Sequence, residues 1–149
     1  SGAVAVNVDI YDTLMEAAPD GAIELFHGYT YTAHPVACAA SLASLDIYAA
    51  DNLFSRAAEL EKPFLDILFS MQDLPIVTDI RGIGLLGAID MAPDGTVGKR
   101  GYKALKAFFE AGVLVKMTGD SVILAPPFVA TEDEITEMLQ KVRAVIESF

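Results

Sequence analysis

The hydrophobic period of the chain changes at Pro75, and this change constrains the fold more than any other feature of the sequence. Before Pro75 many apolar residues recur at helical spacing, whereas after it they form short runs that are typical of β-strands. The elements predicted after Pro75 are strands at 76–80 and 83–91, a helix at 99–111, a hairpin of strands at 113–117 and 121–125, and a last helix from Thr131. This ββαββα order predicts an α+β sandwich with helices on one face of a mixed sheet.

Local signals mark the ends of these elements. Pro93, Asp94 and Gly95 form a turn sequence after the second strand, and Gly112 is a favourable residue just past the end of a helix. Thr131 and Glu134 have the spacing of a capping box. The last helix is therefore the best marked element of the chain.

The residues before Pro75 predict one strand and several helices. Residues 3–8 are small or β-branched and predict a strand, and Pro35 stands at the first turn of an alanine-rich helix that runs to about Ala50. The remaining predictions are a short helix through Ile10, Leu14 and Met15, a turn at 18–21, and a helix from Leu53 to Met71 with Asp51 as its N-cap and a kink at Pro63.

The charge balance excludes several classes of partner. The chain holds 10 Lys and Arg against 21 Asp and Glu, a formal net charge of −11, and it has no basic run, so nucleic acid and anionic membranes are poor partners. Residues 25–45 contain no Asp, Glu, Lys or Arg, but Gly28, Pro35 and several hydroxyl groups argue against a membrane span. The lone Cys38 cannot form an internal disulfide, which predicts a reducing compartment, the cytoplasm.

The segment from Gly82 through Gly84 to Gly87 matches the dinucleotide-binding fingerprint GxGxxG letter for letter. That fingerprint holds pyrophosphate only where its last glycines open a helix, and Pro93 and Gly95 would end such a helix almost at once. The other interpretation is that the glycines allow a bulge or a close backbone contact within a strand. We expect the strand interpretation. A helix directly after Gly87 would indicate dinucleotide binding instead.

The two histidines do not form a self-contained catalytic constellation. Glu24 and His27 have the Glu-x-x-His spacing of two-metal carboxylate sites, but such sites need a second copy and further glutamates. His34 directly precedes Pro35 and is expected to support the entry into the helix rather than to transfer protons. We therefore predict no metal site and no nucleophile–base pair.

Two features are unusual for a purely structural element. Aromatic, hydroxyl and glycine residues crowd the loop at 26–35, which leads into a helix N-terminus, where an anion is favoured. The alternative is a loop that hydrogen-bonds to itself, and the residues alone leave both interpretations open. Lys116 interrupts the apolar run 113–117, and the simplest interpretation is that it alternates outward to solvent.

The segment Phe-His-Gly-Tyr-Thr-Tyr-Thr-Ala-His-Pro-Val-Ala-Cys-Ala-Ala at 26–40 resembles the signature loop and helix of class III (subgroup II) pyridoxal-phosphate aminotransferases. The omega-amino acid:pyruvate transaminases are the most similar subgroup. Residues 2–6 resemble the strand after the catalytic-lysine loop of this family, residues 80–85 its Arg-Gly-x-Gly strand, and residues 118–127 its C-terminal hairpin. The resemblance covers essentially the whole chain.

This resemblance implies the α/β type I fold of pyridoxal-phosphate transferases and a homodimer. Residues 1–50 would be the tail of the cofactor-binding large domain, and residues 51–149 the small C-terminal domain. Thr30 matches the threonine whose hydroxyl and amide reach the cofactor phosphate of the other subunit, and Tyr29 matches an aromatic position at the mouth of that site. Lys116 falls where many omega-transaminases carry an arginine for a substrate carboxylate, and a lysine keeps the charge without the paired donors.

The same resemblance implies that the Schiff-base lysine, the aspartate facing the pyridine nitrogen and the glycine-rich phosphate loop precede residue 1. None of the lysines in this sequence replaces the catalytic one. We therefore expect a parent that moves an amino group between an omega-amino acid or amine and a keto acid such as pyruvate through pyridoxal phosphate. This chain alone is expected to be inactive. The alternative is a free-standing α+β interaction or regulatory module without catalytic activity.

Overall fold

The computed structural model describes residues 2–23, 25 and 27–149 of the chain. The chain divides into two compact units, Ser1–Ala50 and Asp51–Phe149. The assignment of these two parts to the domains of a longer enzyme remains a prediction.

The first unit contains two helices, α1 at Val8–Glu16 and α2 at Pro35–Ala50. The Asn7 side chain caps α1 by accepting a hydrogen bond of 3.0 Å from the Asp9 amide. Helix α2 begins at Pro35 and ends at Ala50, which confirms the predicted bounds. Among the described residues of this unit none is buried, so the unit has no core of its own.

The strand predicted at residues 3–8 is wrong. Residues 2–7 have no strand partner within the described chain, and Val8 already belongs to α1. A strand exists only where another strand pairs with its backbone groups, and the described strands all lie in the second unit. The β-branched residues at 3–8 favour extended backbone but cannot supply that partner.

The second unit contains a four-stranded sheet and three helices. Its elements in chain order are α3 at Leu53–Phe69, β1 at Val77–Ile83, β2 at Leu86–Met91, α4 at Lys99–Glu110, β3 at Lys116–Thr118, β4 at Ser121–Leu124 and α5 at Glu132–Glu147. After α3 this is the predicted ββαββα order. The fold class is confirmed as an α/β fragment.

The sheet is antiparallel throughout, so the prediction of a mixed sheet is wrong. The strand order is β1-β2-β4-β3, and all three neighbouring pairs are antiparallel. The β1–β2 and β3–β4 hairpins close through two residues each, Gly84-Leu85 and Gly119-Asp120. Strand β4 lies between β2 and β3, so the α4 crossover links two strands that are not neighbours.

One face of the sheet carries the core and the other is open. The buried strand residues alternate along each strand and meet apolar residues of the helices, as expected for a sheet covered on one side. The largest fully buried side chains include Phe64, Leu68, Phe108, Ile89, Val122 and Leu139. The side chains of Arg81, Ile83, Lys116 and Thr118 belong to the other, exposed set.

The helix ends confirm some of the predicted capping residues and contradict another. The Thr131–Glu134 capping box of α5 is confirmed, with the Glu134 side chain accepting from the Thr131 amide at 2.8 Å and the Thr131 hydroxyl accepting from the Glu134 amide at 3.2 Å. Gly112 follows the end of α4 with φ +80°. The N-cap of α3 is Asn52, in the left-handed region at φ 50°, so the prediction of Asp51 is wrong. Helix α3 continues across Pro63.

Candidate functional site

The loop before α2 contains a tight turn that presents Thr30. The Thr32 amide donates to the Tyr29 carbonyl at 2.9 Å, so Tyr29 to Thr32 closes as a turn with Thr30 at its second position. Ala33 then adopts a left-handed conformation at φ 56°, which redirects the chain into α2. Within the described residues the exposed Thr30 hydroxyl has no hydrogen-bond partner.

A concave surface of about 730 Å³ lies beside this turn. It is lined by Gly2, Ala3, Gly28, Thr30, Tyr31, Thr32, Ala33, His34, Ala37, Cys38, Ser41 and Leu42. Apart from Leu42, these residues are small, hydroxyl-bearing or aromatic, and none of them carries a carboxylate. The first turn of α2 also contains no acidic residue, so no negative side chain there opposes an anion at the positive end of this helix.

Tyr29 lies in the same turn and is half exposed at 50%. Its ring makes an edge contact with His27, with 5.1 Å between ring centroids. The structure therefore brings Thr30 and Tyr29 together in one turn. His27 supports an aromatic ring in this arrangement. Glu24, its partner in the Glu-x-x-His pattern, lies outside the described residues, and among those described there is no cluster of three potential metal ligands.

Lys116 begins the edge strand β3 in the second unit. It is exposed and pairs with Ile123 of β4, whereas the next residue, Met117, is half-buried against the core. This alternation directs Lys116 to the open face of the sheet. Among the described residues its ammonium has no ion-pair partner.

The open face has a second concave surface of about 490 Å³. It is lined by Arg81, Gly82, Ile83, Leu86, Gly87, Ala88, Thr118, Ser121 and Ile123. Arg81 is already engaged there: its guanidinium donates to both carboxylate oxygens of Asp90, at 2.8 and 3.1 Å, and to Asp79 at 2.6 Å. The hydrogen bond to Asp90 raises the pKa of Arg81 most, and the one to Asp79 raises it less. The hydrogen bond from Arg81 lowers the pKa of Asp90 most, and the one from Ser121 lowers it less.

Two glycines of the GxGxxG segment, Gly82 and Gly87, allow close packing, whereas Gly84 lies in the hairpin turn at φ 55°. Gly82 pairs with Gly87 across the β1–β2 hairpin, and β2 continues as a strand to Met91, so no helix follows Gly87. A Cβ at Gly82 would lie 2.6 Å from Leu65 Cδ2, and one at Gly87 would lie 2.6 Å from Leu68 Cδ2. Helix α3 therefore packs directly on these two backbones, and the dinucleotide-binding interpretation is wrong.

The sequence analysis did not identify the role of Asp120, which lies in the loop of the predicted hairpin between 113–117 and 121–125. Asp120 is 8% exposed, and its carboxylate accepts from the Gly98 amide at 2.7 Å and the Gly101 amide at 2.8 Å. Both hydrogen bonds lower the pKa of Asp120, the one from Gly98 more than the one from Gly101. A Gly at the start of a predicted helix, with no side chain to cap it, was the only signal that a distant acceptor was needed.

Comparison with known proteins places the chain in a family. The family model described as "Aminotransferase class-III" matches residues 2–146. The chain belongs to the class-III aminotransferases. No helix in the part of the chain that the structure describes is long and apolar enough to cross a membrane.

Individual relatives agree with this assignment. An omega-aminotransferase of Caulobacter vibrioides is 44% identical over 146 residues, which cover 97% of this chain and 33% of the relative. A beta-alanine–pyruvate aminotransferase of Pseudomonas aeruginosa is 45% identical over 143 residues, which cover 95% of this chain and 32% of the relative. The chain thus spans about a third of the length of these proteins.

Solved structures show the same likeness. A structure described as "Transaminase with L-ala" superposes with a TM-score of 0.81 at 26% identity and covers 96% of this chain and 35% of that chain. The omega transaminase of Pseudomonas jessenii in complex with PMP gives a TM-score of 0.75 at 29% identity, covering 83% of this chain and 29% of that chain. The fold of this chain is therefore that of a part of a transaminase.

Proposed function

We propose that this chain is the C-terminal portion of an omega-amino acid:pyruvate-type aminotransferase. The parent enzyme transfers an amino group between an omega-amino acid or amine and a keto acid such as pyruvate, with pyridoxal phosphate as cofactor. The observation that carries the proposal is the 44% identity to an omega-aminotransferase over 97% of this chain. Residues 1–50 then form the tail of the cofactor-binding large domain and residues 51–149 the small domain.

The first unit offers donors that fit the phosphate of this cofactor. The Thr30 hydroxyl and the main chain of its turn line a concave surface next to the start of α2, and the described residues of that surface include no carboxylate. Uncharged hydroxyl and amide donors at a helix N-terminus are a common way to bind phosphate. Pyridoxal phosphate supplies, when bound, the electron sink that amino transfer requires.

In this proposal Thr30 binds the phosphate held by the other subunit of a homodimer, and Tyr29 lies at the mouth of that site. The role in a dimer explains why the Thr30 hydroxyl is exposed and why the described residues give it no partner within the chain. A hydroxyl that donates to a dianion forms a charge-assisted hydrogen bond, which is stronger than a neutral one. Thr30 therefore contributes to retention of the cofactor rather than to proton transfer.

Lys116 is proposed to attract the carboxylate of the substrate. Its exposed ammonium on the open face of the sheet leaves it available for an anionic group. Because a lysine is a point charge with rotatable donors, it holds a carboxylate less specifically than the forked guanidinium of an arginine. We expect selection of carboxylated substrates with a tolerance for their orientation.

The proposal includes a reducing, cytoplasmic location and no partnership with nucleic acid or membrane. The net charge of −11 disfavours polyanionic surfaces, and Cys38 is a free, exposed thiol. Small amines and keto acids are the expected ligands of the parent. The chain alone is expected to be inactive.

The test compares the full-length parent with this chain. Both are incubated with pyridoxal phosphate, beta-alanine and pyruvate, and alanine formation is measured. We expect turnover by the parent and none by the chain, and we expect no cofactor linked to a lysine of the chain after borohydride treatment and mass spectrometry. A parent that binds the cofactor but transfers no amino group from any omega-amino acid or amine would refute the proposed function. Turnover by the chain alone would refute its predicted inactivity.

A further inference from the structure

Helix α4 receives its N-terminal cap from a distant residue. Its own N-cap position is Gly98, which lies in the left-handed region at φ 84° and has no side chain to accept hydrogen bonds. The carboxylate of Asp120 takes this place and accepts from the amides of Gly98 and Gly101. In most helices the acceptor belongs to the N-cap residue itself, so here the cap also joins two separate parts of the fold.

The backbones approach closely at this junction. A Cβ on Gly101 would clash with the Gly119 carbonyl oxygen, so only glycine fits beside the hairpin loop. The Asp120 carbonyl accepts from the Met91 amide at 3.1 Å, at the end of β2. Asp120 thus binds α4 through its side chain and β2 through its main chain.

This junction lies at one end of an edge strand. Strand β3 is three residues long, and among the described residues it pairs only with β4, through Lys116, Met117 and Thr118. The loop Gly119-Asp120 is the end at which β3 is joined to β4. We propose that Asp120 is a positioning residue, which clamps the β3–β4 hairpin to α4 and thereby fixes Lys116 and Thr118 on the open face of the sheet.

The clamp matters for catalysis because the hairpin supplies one wall of the open-face concavity, through Thr118, Ser121 and Ile123. The kinetic part of this inference rests on the proposed function, in which Lys116 attracts the substrate carboxylate. A shift of the hairpin would move that charge and leave groups elsewhere in place. It should therefore weaken binding of carboxylated substrates and spare amines without a carboxylate.

The first experiment measures the clamp itself in the 149-residue chain. Asp120→Asn keeps the side-chain volume, but its NH₂ group replaces one acceptor and would face an amide donor. Hydrogen exchange at Gly98 or Gly101 should become about tenfold faster relative to core amides such as Leu68. Thr131→Ala is the matched control, because it removes the cap of α5 without touching α4. Equal protection of Gly98 and Gly101 in Asp120→Asn and wild type would overturn the clamp.

The second experiment measures the kinetic consequence in the full-length parent. Asp120→Asn should raise KM for beta-alanine and pyruvate about three- to tenfold, with kcat and the KM for an amine without a carboxylate little changed. Gly101→Ala, which forces the loop away while keeping the carboxylate, should give the same pattern. Thr131→Ala should lower Tm and leave the ratio of the two KM values unchanged.

The two experiments separate the possible failures. If Asp120→Asn lowers Tm as Thr131→Ala does and leaves the KM ratio at the wild-type value, Asp120 is only structural and the positioning role is overturned. If the wild-type parent transfers no amino group, the proposed function fails and the kinetic role fails with it. The exchange experiment on the chain still decides whether Asp120 clamps the hairpin.

Discussion

Substitution of Gly87 by alanine tests whether α3 packs directly on the β1–β2 hairpin. The added Cβ would lie 2.6 Å from Cδ2 and 3.3 Å from Cδ1 of Leu68, and 3.1 Å from Cζ of Phe64. Both Leu68 and Phe64 are fully buried, so neither side chain can rotate away without disturbing its other neighbours. Overpacking of this kind costs about 1 to 3 kcal/mol.

An opposing effect reduces this cost. Alanine stabilises a strand interior by about 0.5 to 1 kcal/mol relative to glycine, because it loses less backbone entropy on folding. The net prediction for Gly87→Ala is a loss of about 1 to 2 kcal/mol of the free energy of unfolding. For a unit of this size that corresponds to a fall in Tm of about 5 to 15 °C.

Thermal and urea unfolding of the chain, followed by circular dichroism, measure this loss. Ala88→Ser is the control, because it lies next to Gly87 on β2 but on the opposite side of the sheet, and it should change stability by less than about 0.5 kcal/mol. Leu68→Ala alone should cost about 2 to 5 kcal/mol. The double variant Gly87→Ala/Leu68→Ala should lose less than the sum of the single variants, since the space vacated by Leu68 accommodates the new methyl group. An unchanged or raised Tm in Gly87→Ala, or strict additivity in the double variant, would refute the described packing.

Three further predictions concern the site and the charges. In the full-length parent, Thr30→Ala should weaken binding of pyridoxal phosphate by about 1.5 to 3 kcal/mol, the scale of a hydrogen bond to a charged group. Thr30→Ser keeps the hydroxyl and should lose much less. Equal cofactor dissociation constants for Thr30→Ala and wild type in a fluorescence titration would show that the loop is purely structural. Lys116→Met should raise KM for pyruvate and omega-amino acids and leave KM for simple amines unchanged. Lys116→Arg should preserve or improve carboxylate binding. An unchanged ratio of kcat/KM between carboxylated and plain amines in Lys116→Met would contradict the proposed role. The stability of the chain should fall on acidification below about pH 5, because folding lowers the pKa values of Asp120 and Glu134. The stabilisation from these two carboxylates is fully present above their pKa values in the unfolded state. It is lost as the pH falls towards their pKa values in the folded state. Asp120→Asn should flatten part of this dependence of Tm on pH, and an identical dependence in variant and wild type would argue against the lowered pKa of Asp120.

The sequence allowed the helices and the ββαββα order to be predicted because their signals are local. Pro35, Gly112 and the Thr131–Glu134 pair each act within one turn of a helix, so their effects do not depend on distant parts of the chain. The failures lie where a distant partner decides the outcome. Residues 3–8 have strand composition but no described strand to pair with, and the insertion of β4 between β2 and β3 makes the sheet antiparallel.

The sequence pointed to some residues of the candidate site and not to others. The loop at 26–35 and Lys116 stand out because their residue types are unusual for their surroundings, and the structure shows Thr30 and Lys116 exposed. Asp120 did not stand out, because an aspartate after glycine in a hairpin loop is an ordinary turn residue. Only the fold shows that its carboxylate caps a helix whose N-cap residue, Gly98, lies 22 residues earlier in the chain.

The distant cap of α4 also has a consequence for the order of folding. During synthesis α4 leaves the ribosome before Asp120, so its first turn has unpaired amides until the β3–β4 hairpin has formed. Neither element is complete without the other, because the Asp120 carboxylate meets its two amide donors only once the first turn of α4 has formed. Helix and hairpin should therefore become stable in one cooperative step, and this contact between separated residues adds to the time that the second unit needs to fold.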